Sequence, residues 1–279
     1  MKFLNCYHNH TNRCHHAKGC DEEYILKAIS EGVKVLGFSD HAPYIYSDGY
    51  VSYYKMTPSE AGEYFSSLGA LREKYRDKIK IYIGYEAEYY RSLWNNTVKF
   101  WKSENQPEYL ILGQHFVREE VSHNPDDTWH SFKETDNPNH LKAYADSIVE
   151  GVRTGLFSCV AHPDLLSFTG DEDIYREEVS RIVKECVRLD LPLELNLQGI
   201  ALKRSYPTPK FWNIAKDFSP KVILGADAHT PERVFVKDEV LSALRFSDKF
   251  HLNLIDELKL VTPFPKKEEA CENPNLNTF

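Results

Sequence analysis

No stretch of the sequence approaches the ~20 consecutive apolar residues that a membrane-spanning helix needs, so no transmembrane helix and no membrane partner are expected. Paired cysteines are also missing. Cys6, Cys14, Cys20, Cys159, Cys186 and Cys271 are scattered singly with no CxxC, and in a chain this long they read as reduced thiols. There is no internal repeat and no Ser/Gly linker, which points to one folded unit. The opening residues Met1-Lys2-Phe3-Leu4-Asn5 carry no secretory apolar stretch, and the expected location is the cytoplasm. Positive charge is short as well. A formal net charge of −8 does not suit a general nucleic-acid binder, which needs cations against phosphate. A small anionic substrate stays compatible with it, because bound metal ions reverse the local field.

The chain has 279 residues, 42% hydrophobic and 27% charged, a globular composition at a length that suits a single α/β barrel. Short apolar strands alternate with amphipathic segments, the pattern of a parallel α/β fold. Seven strands are predicted: Phe3–His8, Val33–Ser39, Ile79–Glu86, Tyr109–His115, Phe157–His162, Leu193–Asn196 and Lys221–Asp227. Helix starts are marked by Thr57-Pro58-Ser59-Glu60, a capping box, and by Asn137-Pro138, Thr208-Pro209 and Thr230-Pro231. Asp21 is a candidate cap for a helix that Gly32 ends. Gly113 and Gly225 fall inside strands, where a close approach of backbone or ligand is one explanation. The polar stretch from His123 to Asp136 is expected to form a long loop over the site. Residues 1–265 are expected to form the barrel domain, and 266–279 a polar tail.

The strand ends carry the chemistry. They read His8-Asn9-His10, Asp40-His41, Glu86-Ala87-Glu88, His115, His162-Pro163-Asp164 and Asp227-Ala228-His229, and His16 follows in the first loop. In a parallel barrel these ends share one rim, where active sites are built. His8 and His10 are two apart, so a strand puts both on one face. Each motif alone is weak, since a lone HxH or His-Pro is more often a core hydrogen bond than a ligand pair. Their common placement on one predicted rim is what points to metal. Imidazole and carboxylate together suit Zn, Mn or Fe better than Mg or Ca. Glu88 reads as a rim or supporting residue beside Glu86, and Cys14 as a ligand neighbour. His15, His123, His130, His140 and His251 read as ordinary surface histidines.

At these residues the sequence resembles the polymerase-and-histidinol-phosphatase superfamily of metal-dependent phosphoesterases. The matching motifs occur in order: His8-Asn9-His10-Thr11 with His16, Ser39-Asp40-His41, Gly84-Tyr85-Glu86, His115, Ala161-His162-Pro163, and Gly225-Ala226-Asp227-Ala228-His229. Thr11-Asn12-Arg13-Cys14-His15-His16, Gly113-Gln114-His115-Phe116 and Leu193-Glu194-Leu195-Asn196 are similar to the histidinol-phosphate phosphatase branch. The resemblance implies a distorted TIM-like barrel of seven strand–helix units holding two or three divalent ions. By analogy, His8, His10, Glu86 and Asp227 take the first ion. Glu86, His115 and His162 take the second, and His16, His41 and His229 the third. It further implies hydrolysis of L-histidinol phosphate, with inorganic phosphate as product, in histidine biosynthesis.

Asp40, Asp227 and His229 are the candidates for protonating the leaving alkoxide, and the residues do not choose between them. Arg204, Lys203 and Arg118 follow strands and are candidate phosphate contacts, because a guanidinium matches phosphate oxygens. Glu194 and Asp164 are candidate partners for a substrate amine. Three alternatives stay open: another phosphoesterase of the superfamily, an amidohydrolase-like enzyme, and a non-catalytic metal-binding barrel. The amidohydrolase is disfavoured because no lysine ends a middle strand.

Overall fold

The computed structural model describes residues 4–103 and 106–265. The expected polar tail at 266–279 lies outside them. Eight strands form one sheet in sequence order, every neighbouring pair parallel: β1 (Asn5–Cys6), β2 (Val35–His41), β3 (Lys80–Ala87), β4 (Leu110–Leu112), β5 (Cys159–Val160), β6 (Leu193–Asn196), β7 (Lys221–Gly225) and β8 (Asn253–Leu254). Among the described residues the α-helices are α1 (Asp21–Ser30), α2 (Ala61–Tyr75), α3 (Trp94–Ser103), α4 (Pro138–Arg153), α5 (Glu172–Arg188), α6 (Leu197–Ala201), α7 (Pro209–Ala215) and α8 (Lys237–Phe250). This is the expected α/β, TIM-like architecture. Every residue of β2 is buried, as in a parallel sheet covered on both faces. No helix among the described residues is long and apolar enough to cross a membrane.

The sequence reading missed β8. It is two residues long and pairs with Lys221 and Val222 at the start of β7. At the other end of β7 the chain meets β1 instead: Asp227 N donates to His8 O at 2.8 Å, and His10 N to Ala228 O at 2.9 Å. Asn9 and Ala228 form a parallel bridge there. The rim is thus drawn together by the first and seventh strands, while β8 fills the gap below. Tyr7, Tyr109, Ile111, Ile223 and Leu258 belong to a small apolar cluster that contains no helical residue. That cluster plugs the barrel under the rim, as side-chain layers do in TIM barrels.

The helix signals mostly hold. Asn137 and Thr208 cap α4 and α7 with proline in the first turn. Cys20, rather than Asp21, caps α1, and Glu23 closes the turn by accepting from Cys20 N at 2.7 Å. Gly32 follows α1 at φ +77°, the left-handed conformation that glycine takes without cost. Thr57 and Glu60 bond to each other, but the turn they form precedes α2, which starts at Ala61. Thr230-Pro231 opens only a short 3-10 turn, Pro231–Val234.

Candidate metal centre

The parallel register delivers the side chains. β2 and β3 align His41 with Glu86, and His41 Nδ1 sits 3.0 Å from Glu86 Oε2. The His8 and His10 Nε2 atoms each lie 3.6 Å from the same oxygen. On the other oxygen, Oε1, His162 Nε2 stands at 2.8 Å and His115 Nε2 at 3.7 Å. Glu86 therefore touches five imidazoles. Gly113 leaves room for it, because a Cβ there would overlap the Glu86 carboxylate; Gly225 does the same for Glu194. The close approach left open for these glycines is that of a carboxylate.

Asp227 holds the opposite side. Its Oδ1 is 3.1 Å from His10 Nε2 and 3.4 Å from His229 Nδ1. Its backbone is left-handed at φ 51°, and His162 stands at φ 28°. A non-glycine residue held in that region costs on the order of 1–3 kcal/mol, and such positions cluster at functional sites. The last histidine arrives from the first loop: His16 Nε2 lies 2.9 Å from His229 Nε2.

Four of the histidines are braced from behind, whereas the buried Nδ1 of His162 has no hydrogen-bond partner. His8 Nδ1 meets Glu194 Oε1 at 2.7 Å, His10 Nδ1 meets Asp40 Oδ1 at 3.4 Å, and His115 Nδ1 meets Glu88 Oε1 at 3.1 Å. His16 Nδ1 is 2.7 Å from Cys14 O. Such outer partners fix the tautomer and aim of a metal ligand.

This centre fits divalent cations on three counts. First, Glu86, Asp227, Glu194 and Asp40 are buried, and their ion-pair partners are histidines alone, with no lysine or arginine among the described residues. Buried anions without fixed cations are costly and call for positive charge. Second, Glu86 Oε2 makes no well-formed hydrogen bond despite its crowd of nitrogens. Third, ligand atoms of His8, His10 and Asp227 lie within 4.8 Å of one another, as do those of His8, Glu86 and His162, of His10, His41 and His229, and of Cys14, His16 and His229. These groups share members, as ligand sets of adjacent ions do. Cys14, kept as a neighbour, is brought into the cluster.

The electrostatics divide the imidazoles. Burial opposes charge on His10, but hydrogen bonds to Asp227 and Asp40 overcome it and push its pKa up to about 9. Burial and the charge of His10 pull His229 down to about 3, and pull His41 well below its ordinary value. Burial opposes charge on Glu86 and Asp227 too, yet the surrounding histidines hold both well below the carboxylate range. The ionised carboxylates and neutral His41 and His229 are thus in the state that metal ligation needs, whereas His8 and His10, raised despite burial by their carboxylate neighbours, each give up a proton when an ion binds.

A cavity of about 450 Å³ opens over this floor, lined by His16, His41, His115, His162, Asp227 and His229 below. Its walls include Lys55, His130, Phe132, Arg204, Tyr206 and Arg233. Arg204 stacks over the Phe132 ring at 4.8 Å. Arg233 is tied by Nη1 to Glu239 at 2.5 Å, while its buried Nη2 has no partner.

Several expectations need correction. Arg118 is held away from the cavity by Asp127 at 3.4 Å and Asp146 at 3.6 Å, and Lys203 is exposed in a left-handed turn outside it. Neither lines the cavity. Asp40 is fully buried behind His10, accepting from Thr11 N, Thr11 Oγ1 and His41 N, so it cannot reach a leaving group. Glu194 braces His8, and Asp164 accepts from Thr208 N and Trp212 Nε1, so neither faces a substrate amine. His140 is buried beside Thr135, not on the surface. His130, also read as a surface residue, lines the cavity because the loop from His123 to Asp136 does fold over the site. Lys55 and Arg233 were missed entirely.

The PHP domain profile matches residues 7–198 of the chain. A probable histidinol-phosphatase of Deinococcus radiodurans is 25% identical over 232 residues, covering 81% of this chain and 86% of that protein. A probable phosphatase of Clostridium acetobutylicum is 26% identical over 281 residues, covering 99% of this chain and 100% of that protein. Among solved structures, the histidinol phosphate phosphatase of Lactococcus lactis, complexed with zinc, L-histidinol and phosphate, superposes with a TM-score of 0.68 at 17% identity. That alignment covers 91% of this chain and 95% of that one, and shows a shared fold.

Proposed function

Because the chain belongs to the PHP domain family, we propose that it is a metal-dependent phosphatase acting on L-histidinol phosphate, within one catalytic domain over residues 1–265 and in the cytoplasm. The observation that carries this reading is the single rim on which seven histidines, Glu86 and Asp227 converge. The relatives named for the same activity support it.

His8, His10, Glu86 and Asp227 would hold one ion, Glu86, His115 and His162 a second, and His16, His41 and His229 a third. Bound divalent ions would supply Lewis acidity and lower the pKa of water to the neutral range. The chain's own residues do the rest. Arg204 and Arg233 are the arginines that line the cavity, and the free Nη2 of Arg233 offers a donor to a phosphoryl oxygen. Phe132 and Tyr206 give the wall a flat aromatic surface against which an imidazole ring can lie. With Asp40 withdrawn, Asp227 and His229 are the candidates left near the leaving oxygen; one is ionised and the other neutral, so either would first take a proton from a water at the site and then pass it on. Backing by Glu194 and Glu88 keeps His8 and His115 aimed while this happens.

Phosphate release from L-histidinol phosphate tests the proposal, with protein stripped of metal and reloaded with Mn, Zn or Fe. Metal-restored turnover that favours this ester over p-nitrophenyl phosphate and a nucleotide monophosphate is expected. Turnover of the other esters alone would replace the substrate and keep the phosphatase. No turnover with any metal would overturn both.

A further inference from the structure

Lys55 is only 2% exposed, yet it comes from the stretch between β2 and α2 and lines the cavity. Its ammonium pairs with Glu88 Oε1 at 2.9 Å and with Glu120 Oε2 at 3.0 Å. The rings of Tyr44, Tyr54, Tyr90 and Phe116 surround it at 5.1 to 5.9 Å. Taking an ammonium out of water costs several kcal/mol unless it is well paired, so this is a built site. Two carboxylates already face the cation, which leaves it no surplus charge for a phosphate.

The consequence lies one residue further on. The Glu88 oxygen that meets Lys55 also meets His115 Nδ1 at 3.1 Å. A carboxylate paired with an ammonium only accepts hydrogen bonds. His115 must then carry its proton on Nδ1, which leaves Nε2 bare toward Glu86. The other carboxylates behind histidines are fixed by further donors: Asp40 by Thr11 N and His41 N, Glu194 by His162 N and Asn196 Nδ2. Glu88 has no such support. Its Oε2 is buried without a hydrogen-bond partner, and Lys55 and His115 both meet its Oε1, with the Tyr44 hydroxyl beside them.

We propose that Lys55 is a positioning residue of the metal centre: through Glu88 it fixes the tautomer and aim of His115, and so the affinity of the ion that His115 helps to hold. This rests on the reading that His115 faces a metal ion.

The test is titration of the metal-stripped full chain with Co(II), followed by its visible absorption and by calorimetry, in wild type, Lys55→Met and Glu88→Gln. Loss of an outer partner typically weakens metal binding ~10–100-fold. Both variants should lose that much affinity for one ion, with a changed absorption band, while the remaining ions bind as in wild type. A merely structural role would lower the melting temperature of the metal-free variants and leave Co(II) binding unchanged. That outcome overturns the proposal. If Lys55→Met does not fold, Glu88→Gln decides, because the amide keeps the size of the side chain but removes the charge that pairs it with Lys55 and fixes its orientation. Wild type that binds no Co(II) would instead overturn the metal reading itself.

Discussion

Gly113 on the β4 side leaves the Glu86 carboxylate of β3 the space that a Cβ would fill, and the overlap would fall on Oε1, the oxygen nearest His162 and His115. A residue with no side chain therefore sets where the most connected ligand of the centre can point.

Gly113→Ala should displace Glu86 rather than the backbone. Overpacking of a buried site costs roughly 1–3 kcal/mol, so the variant should fold with a lowered melting temperature. Metal affinity should fall by at least the ~10–100-fold seen when a ligand's support is lost. Metal content after dialysis, read beside circular dichroism, checks this. A folded variant with full metal content would show that Glu86 does not need this space.

The positions of the ligands were legible because the barrel forces them. All but His16, which arrives from the first loop, fall at or just past a strand end, and parallel register brings those ends together. The cavity walls were not, because long loops obey tertiary contacts. Lys55 sits in a stretch with no periodic pattern, and only the buried Glu88 and Glu120 explain its path. Glu86 and Glu88 share a face by alternation, yet β3 ends at Ala87 and Glu88 turns to His115 and Lys55. Arg118 misled because its own neighbours, Asp127 and Asp146, outcompete the site for it. β8 escaped notice because two residues carry no alternation to read.

Arg233 at the cavity should separate from the two basic residues outside it. Removing one preorganised donor to a transition-state oxygen typically costs ~10²–10³ in kcat. Arg233→Met should lose about that much, because Nη2 has no other partner to serve. Arg118→Ala and Lys203→Ala should stay within about twofold of wild type, as solvated surface charges do. Steady-state kinetics on the four proteins checks the contrast. An Arg118 variant as damaged as the Arg233 variant would contradict the geometry.

Acid stability offers a test away from the centre. Hydrogen bonds from Arg188 and Arg153 lower the pKa of Glu185 from 4.5 to about 2. A carboxylate with a depressed pKa in the folded state adds stability above its unfolded value, and that contribution fades as pH falls from 4.5 toward 2. Both arginines are largely exposed, so solvent screening limits the gain to less than ~1 kcal/mol. Glu185→Gln should melt slightly lower than wild type at pH 7, and the gap should close in acid. A gap that widens on acidification would reverse the sign of the argument.

Metal removal should destabilise the fold as well as silence it. Among the described residues, four buried carboxylates have histidines as their only ion-pair partners, so without cations the rim holds charge that burial penalises. A ligand present at 100 times its dissociation constant stabilises the folded state by ~2.7 kcal/mol. For a chain of this size that is roughly 5–10 °C in melting temperature, at about 2–4 °C per kcal/mol. Calorimetry before and after chelation should show a drop of that order, restored by added Zn or Mn. The drop should shrink in Gly113→Ala, whose displaced Glu86 has already weakened the centre. If chelation moved both proteins equally, the stabilising ions would lie somewhere other than this rim.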